Sequence, residues 1–125
     1  MRVLINPASI SKAPAPLSHA VKVGNLVFVS GTTPFKPNVR EIVPDFAGQM
    51  HQVMAKIKLI LEDAGTTLAH VVKMNVILTR ASDFKEMNEI YRSYFSNGAY
   101  PARTTIVAQL AVPEMLLEIE CIAEL

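Results

Sequence analysis

Two β-rich runs near the C-terminus, Tyr100–Val107 and Leu116–Ala123, constrain this chain more than any other stretch. In the second, Leu117, Ile119, Cys121 and Ala123 alternate with Glu118, Glu120 and Ile122, the period-two pattern of a strand with one face in a core. A short link containing Pro113 joins the runs, so the spacing predicts an antiparallel hairpin. A loop centred near Ala111 and Val112 sets Arg103 opposite Glu120 and Thr105 opposite Glu118. Thr104, Ile106 and Ala108 then join the core face, and Arg103, Glu118 and Glu120 share the other. A salt bridge from Arg103 to Glu120 is the plain structural reading of that second face. A bound small anion is the alternative, because arginine's planar fork matches a carboxylate bidentately and a nearby glutamate can orient a water.

The rest of the chain supplies what such a sheet packs against. Ser11–Pro16 holds two prolines in six residues and is expected to lie extended over the body. Ser18–Val23 and Leu26–Ser30, joined by Gly24-Asn25, read as a hairpin. Thr32–Pro44 reads as loop, with a short edge strand at 41–43. Asp45 is a candidate N-cap, and Phe46, Met50, Val53, Ile57, Ile60, Leu61 and Ala64 recur at helical spacing up to a stop at Gly65. His70–Thr79 alternates as a central strand. A second helix is expected from Ser82 or Asp83, with Asp83 and Glu86 as a capping box, to Gly98. The predicted class is α/β (α+β): one domain over 1–125, with two helices covering one face of a sheet. Half the residues are hydrophobic, and the second sheet face is too apolar to stay wet, so further copies of the chain are expected to cover it.

Several classes of function are disfavoured by composition. Twelve basic residues are scattered against eleven acidic ones, with no stripe for a nucleic-acid backbone. No run approaches the ~18 apolar residues of a membrane helix, and the N-terminal apolar run is too short for a secretory signal, so the expected location is cytoplasmic. A single cysteine, Cys121, allows no internal disulfide. His19, His51 and His70 fall in different elements and lack metal-ligand spacing. His51 reads as solvated, whereas His19 borders the first hairpin and is a candidate to line a cleft. The five glycines are too dispersed for a phosphate loop or a dinucleotide fingerprint.

Taken together, the run from Ala20 to Gly31, Val71-Val72-Lys73, Asp83-Phe84 with Asn88 and Tyr91, Pro101-Ala102-Arg103-Thr104, and Glu118–Ala123 closely resemble the Rid (reactive intermediate deaminase) family, also called YjgF. The resemblance spans nearly the whole chain in order. It implies a chorismate-mutase-like domain of roughly six strands and two helices. It also implies a homotrimer with a central barrel and clefts between subunits, and no metal or organic cofactor. It implies further that Arg103 binds the carboxylate of a 2-imino or 2-enamino acid such as 2-aminoacrylate or 2-iminobutanoate, and that Glu118 positions the attacking water. Backbone N–H groups near Gly31 and Thr105 would assist, with Leu17, Ser30 and Tyr91 also at the substrate.

Three positions depart from that pattern. Leu17 stands where many members have tyrosine, Thr32 where glutamine is usual, and Thr105 where cysteine is frequent. His19 and Tyr100 are candidates to replace the missing phenol. Leu17 favours a wider cleft, which brings in a larger, aminomuconate-type substrate. A non-enzymatic trimer that binds small carboxylates or protects other proteins is the reading from outside the enzyme class.

Overall fold

A computed structural model describes all 125 residues, Met1–Leu125. Six strands, β1 (Val3–Ile5), β2 (Ala20–Val23), β3 (Leu26–Thr32), β4 (Val71–Leu78), β5 (Ala102–Val107) and β6 (Leu117–Glu124), form one sheet. Its order is β1-β2-β3-β6-β4-β5. Two helices, α1 (Phe46–Ala64) and α2 (Phe84–Arg92), pack on one face. The fold is therefore the mixed α+β class expected, with the expected numbers of strands and helices.

The first helix begins and ends where its sequence says it should. Asp45 is extended, with φ −86° and ψ 149°, and its Oδ2 accepts the Gly48 N–H at 2.8 Å. Gly65 turns left-handed at φ 93° and its N–H returns to the last carbonyls, a conformation that glycine adopts without a Cβ clash. Between these caps Met50, Val53, Met54, Ile57, Ile60 and Leu61 are buried against Val27, Val29, Met74, Val76, Leu117 and Ile119 of the sheet. Gly24, at φ 57°, makes the turn between β2 and β3.

The expected C-terminal hairpin does not form. β6 lies between β3 and β4, antiparallel to both, and β5 lies on the far side of β4, parallel to it. The segment β4–α2–β5 is a strand–helix–strand crossover, and a helical connection of that length delivers the next strand parallel to the first. Arg103 consequently pairs with Met74 and Thr105 with Val76, while Glu120 pairs with Asn75 and Glu118 with Ile77. The faces of β5 are inverted relative to expectation. Arg103 and Thr105 share the helix-side face with buried Met74 and Val76, whereas Thr104 and Ile106 are exposed on the open face.

Other corrections are local. α2 ends at Arg92, and Ser93 to Gly98 is a turn followed by a short 3-10 segment that includes Asn97 at φ 55°. The capping box is absent because Asp83 is taken by Arg80, whose Nε and Nη2 donate to its two oxygens at 2.8 and 3.0 Å. Residues 41–43 form no strand. β1, which alternation over three residues was too short to announce, pairs with β2. On the open face of the sheet Phe28, Ile77, Ile106 and Ile122 surround Lys73, Asn75, Glu118 and Glu120. Lys73 Nζ donates to Thr104 Oγ1 at 3.0 Å, and Asn75 Nδ2 to Glu120 Oε1 at 3.1 Å.

Candidate functional site

Arg103 reaches its surroundings from the edge strand. Its guanidinium carbon lies 4.8 Å from the Tyr91 ring centroid and 6.0 Å from that of Phe84, with Nη1 3.9 Å from Met87 Sδ. The charged head thus lies against α2, over aromatic faces and beside the Met87 sulfur. No carboxylate neutralises it, since the two ion pairs of the chain are Lys36–Glu41 and Arg80–Asp83. A cavity of about 400 Å³ opens beside it, lined by Asn88, Tyr91, Arg92, Tyr100 and Pro101 as well as Arg103 itself. The Tyr91 hydroxyl and, two residues along β5 from Arg103, Thr105 Oγ1 are buried with no hydrogen-bond partner in the chain. Burial pushes the Tyr91 phenol up to about 12, against the pull of Arg103, so it stays protonated as a donor at neutral pH.

Glu118 belongs to a different cavity, of about 490 Å³, between the extended 10–19 segment and the loop that follows β3. Leu17, His19, Ser30, Gly31 and Lys56 line it with Glu118. The Glu118 carboxylate makes no hydrogen bond within the chain and lies directly against Gly31. A Cβ at position 31 would overlap Oε1 and stand 3.0 Å from the carboxyl carbon. Glycine is needed here for close approach, not for its backbone angles. Burial, and secondarily the charge of Glu120, holds the Glu118 carboxyl above the usual carboxylate range.

The wall around Glu118 is fixed from both sides. β3 slips register between Val29 and Thr32. There Ser30 Oγ donates to the Ser18 carbonyl at 2.6 Å, Ser30 N–H to the His19 carbonyl at 3.0 Å, and Thr32 Oγ1 to the Ser30 carbonyl at 3.0 Å. His19 N–H in turn donates to Asn6 Oδ1 at 3.0 Å. The Ser30 hydroxyl proton is therefore committed to holding the proline-rich strap, which leaves its oxygen able only to accept.

The expected site residues divide into two groups. Arg103 and Tyr91 line the first cavity, with Thr105 two residues along β5 on the same face; Glu118, Gly31, Ser30 and Leu17 line the other cavity, and one chain does not unite them. Tyr100 borders the first cavity and His19 the second. Of the two glutamates, Glu118 lines a cavity and Glu120 is exposed on Asn75. His51 is exposed, with its Nδ1 against the Tyr94 hydroxyl. Lys56 escaped the sequence reading. Its signal was a lysine next to Ile57 and three residues after Val53, within the apolar stripe of α1.

The family model described as Endoribonuclease L-PSP matches residues 8–125. Among curated proteins, a RutC family protein of Pyrococcus abyssi is 43% identical over 116 residues, 90% of this chain and 91% of that one. TdcF of Escherichia coli, provisionally named a reactive intermediate deaminase, is 31% identical over 125 residues, 98% of this chain and 97% of its own. Among solved structures, RidA from an Antarctic Psychrobacter superposes with a TM-score of 0.92 at 38% identity, covering 98% of this chain and 99% of that one.

Proposed function

Because the chain belongs to the endoribonuclease L-PSP family, the YjgF/Rid family, we propose that it hydrolyses reactive 2-imino and 2-enamino acids to 2-oxo acids and ammonia. The observation that carries this reading is the pair of unpaired, complementary groups: a guanidinium with no carboxylate, and a carboxylate with no donor. In this reading three copies turn their open sheet faces inward, and the Arg103 cavity of one copy meets the Glu118 cavity of the next. The apolar residues on that face, Phe28 and Ile106 foremost, support an association that removes them from water.

The chemistry then needs few parts. Arg103 holds the substrate carboxylate through two parallel N–H···O bonds and, with the Tyr91 hydroxyl, fixes the imine carbon in place. Glu118 accepts a proton from a water as its oxygen attacks that carbon. Glu118 passes that proton to the nitrogen, giving an adduct with hydroxyl and amine on one carbon; Glu118 then takes the hydroxyl proton and returns it to the amine, so that the C–N bond breaks, ammonia leaves and the carbonyl forms. An enamine substrate tautomerises to the imine before attack. The raised affinity of Glu118 for protons suits both halves of this transfer. RNA cleavage, which the family's description names, has less support in a chain of net charge +1 with no basic stripe.

The test is to generate 2-aminoacrylate and 2-iminobutanoate with a serine/threonine dehydratase and follow 2-oxo acid release with and without this protein, beside Arg103→Ala. Acceleration by the wild type and not the variant is expected. Equal release with and without wild type contradicts the enzyme reading and favours a carboxylate-binding module.

A further inference from the structure

Apart from Tyr91, whose hydroxyl belongs to the Arg103 cavity, five residues with polar side chains are buried: Thr32, Gln49, Lys56, Thr66 and Asp83. Four are matched. Asp83 has Arg80, and Thr66 Oγ1 donates to the Glu124 carbonyl at 2.6 Å. Thr32 donates to Ser30, and Gln49 uses both its amide and its carbonyl on Val43, Glu114 and Leu116. Lys56 alone carries a charge with no countercharge. It is 6% exposed, and its Nζ donates to the Thr33 carbonyl at 3.0 Å and Thr33 Oγ1 at 3.2 Å. An ammonium has three donors, so one N–H is left over. Burial alone lowers its proton affinity, to a pKa of about 8, which leaves it mostly charged at neutral pH.

Lys56 lines the same cavity as Glu118. Its hold on Thr33 ties α1 to the loop that leaves Gly31, so the ammonium is fixed relative to the Glu118 wall. Lys12, Lys36 and Arg40 also line this cavity, with Glu118 as its single carboxylate, although Lys36 is bonded to Glu41. A wall of that sign draws anions. In the reading above, Arg103 of the adjoining copy takes the α-carboxylate, and a short aliphatic imino acid leaves most of about 490 Å³ unfilled and Lys56 unopposed.

We propose, resting on that reading of the site, that Lys56 binds a second, distal carboxylate and that the preferred substrates are 2-imino dicarboxylic acids. Lys56 is on this account a specificity-determining residue: it contacts the remote end of the substrate and takes no part in proton transfer.

Binding of the 2-oxo acid products tests this without turnover. Calorimetric affinities are measured for 2-oxoglutarate and for 2-oxohexanoate, which has similar length and no distal charge, on wild type, Lys56→Gln and Lys56→Arg. Wild type is expected to favour 2-oxoglutarate by about tenfold or more, the worth of one charge-assisted hydrogen bond. Lys56→Gln, which keeps a donor for Thr33, is expected to bring the ratio to about one with 2-oxohexanoate affinity unchanged; Lys56→Arg keeps the preference. A wild-type ratio near one overturns the proposal whether or not the variants fold, and so does a Lys56→Gln ratio equal to that of wild type. A protein that binds 2-oxoglutarate selectively yet hydrolyses no imine contradicts the deaminase reading alone. One that hydrolyses imines with no dicarboxylate preference contradicts Lys56 alone.

Discussion

Arg103 and Glu118 lie on opposite faces of one sheet: Arg103 pairs with buried Met74 on the helix side, and Glu118 pairs with Ile77 on the side the helices leave open. The proposed deaminase reading gives them separable jobs. Arg103→Ala is expected to abolish 2-oxo acid binding together with turnover. Glu118→Gln is expected to keep binding and lose turnover by about a hundredfold or more, the usual contribution of a general base. Calorimetry beside a 2-oxo acid release assay checks this; a Glu118→Gln variant that fails to bind contradicts the division.

The raised affinity of Glu118 for its proton gives stability a pH dependence of definite sign. Its carboxyl is held above its unfolded value, so its favourable contribution is complete below the unfolded pKa and is lost as pH rises through the folded one. At pH 7 the ionised, half-buried carboxylate therefore works against the fold. Glu118→Gln is expected to melt higher than wild type at pH 7, with the gap closing toward pH 4. Melting curves across that range check it, and a variant less stable than wild type at pH 7 contradicts the shift.

Gly31→Ala places a methyl group where the Glu118 carboxylate lies. The backbone of β3 tolerates alanine, so the expected result is a folded protein whose turnover falls as Glu118 is displaced. Unchanged kcat contradicts the contact.

Gln49 is buried in α1 yet bonds three backbone groups of two loops: Nε2 donates to the Val43 and Glu114 carbonyls at 2.9 and 3.0 Å, and Oε1 accepts the Leu116 N–H at 2.8 Å. Gln49→Leu is more apolar and leaves all three groups orphaned. A loss of about 3 kcal/mol is expected from urea unfolding, since each orphaned group costs about 1–3 kcal/mol. A variant as stable as wild type contradicts that role.

What the sequence made legible was local. Asp45 and Gly65 bounded α1, and alternation placed Leu117, Ile119, Cys121 and Ala123 in the core, because capping and period-two burial depend on residues close in the chain. Strand pairing is not local. Tyr100–Val107 and Leu116–Ala123 read as hairpin partners, yet the intervening loop carries the chain past β4 and inserts β6 beside it. The strand–helix–strand order of β4, α2 and β5 was the available signal for parallel pairing. Asp83 satisfied a capping pattern but found Arg80 three residues back, which competes for the same oxygens. Lys56 was invisible as a site residue because nothing in a helical stripe says that the cavity wall of a distant loop will meet it. The family pattern named Arg103, Tyr91, Thr105, Glu118, Gly31, Ser30 and Leu17; the sheet pairing puts Arg103 and Glu118 on opposite faces, with Tyr91 at the cavity of the first and Gly31, Ser30 and Leu17 at that of the second.

Whether the cleft is shared between copies is decided by imine turnover in a mixture of Arg103→Ala and Glu118→Gln chains unfolded and refolded together. Each variant alone lacks one half of every cleft. If clefts join Arg103 of one copy to Glu118 of the next, random mixing in equal amounts restores about a quarter of them, and activity should return to about that fraction of wild type. A mixture as inactive as its two parents, beside an active wild type, would contradict the shared cleft.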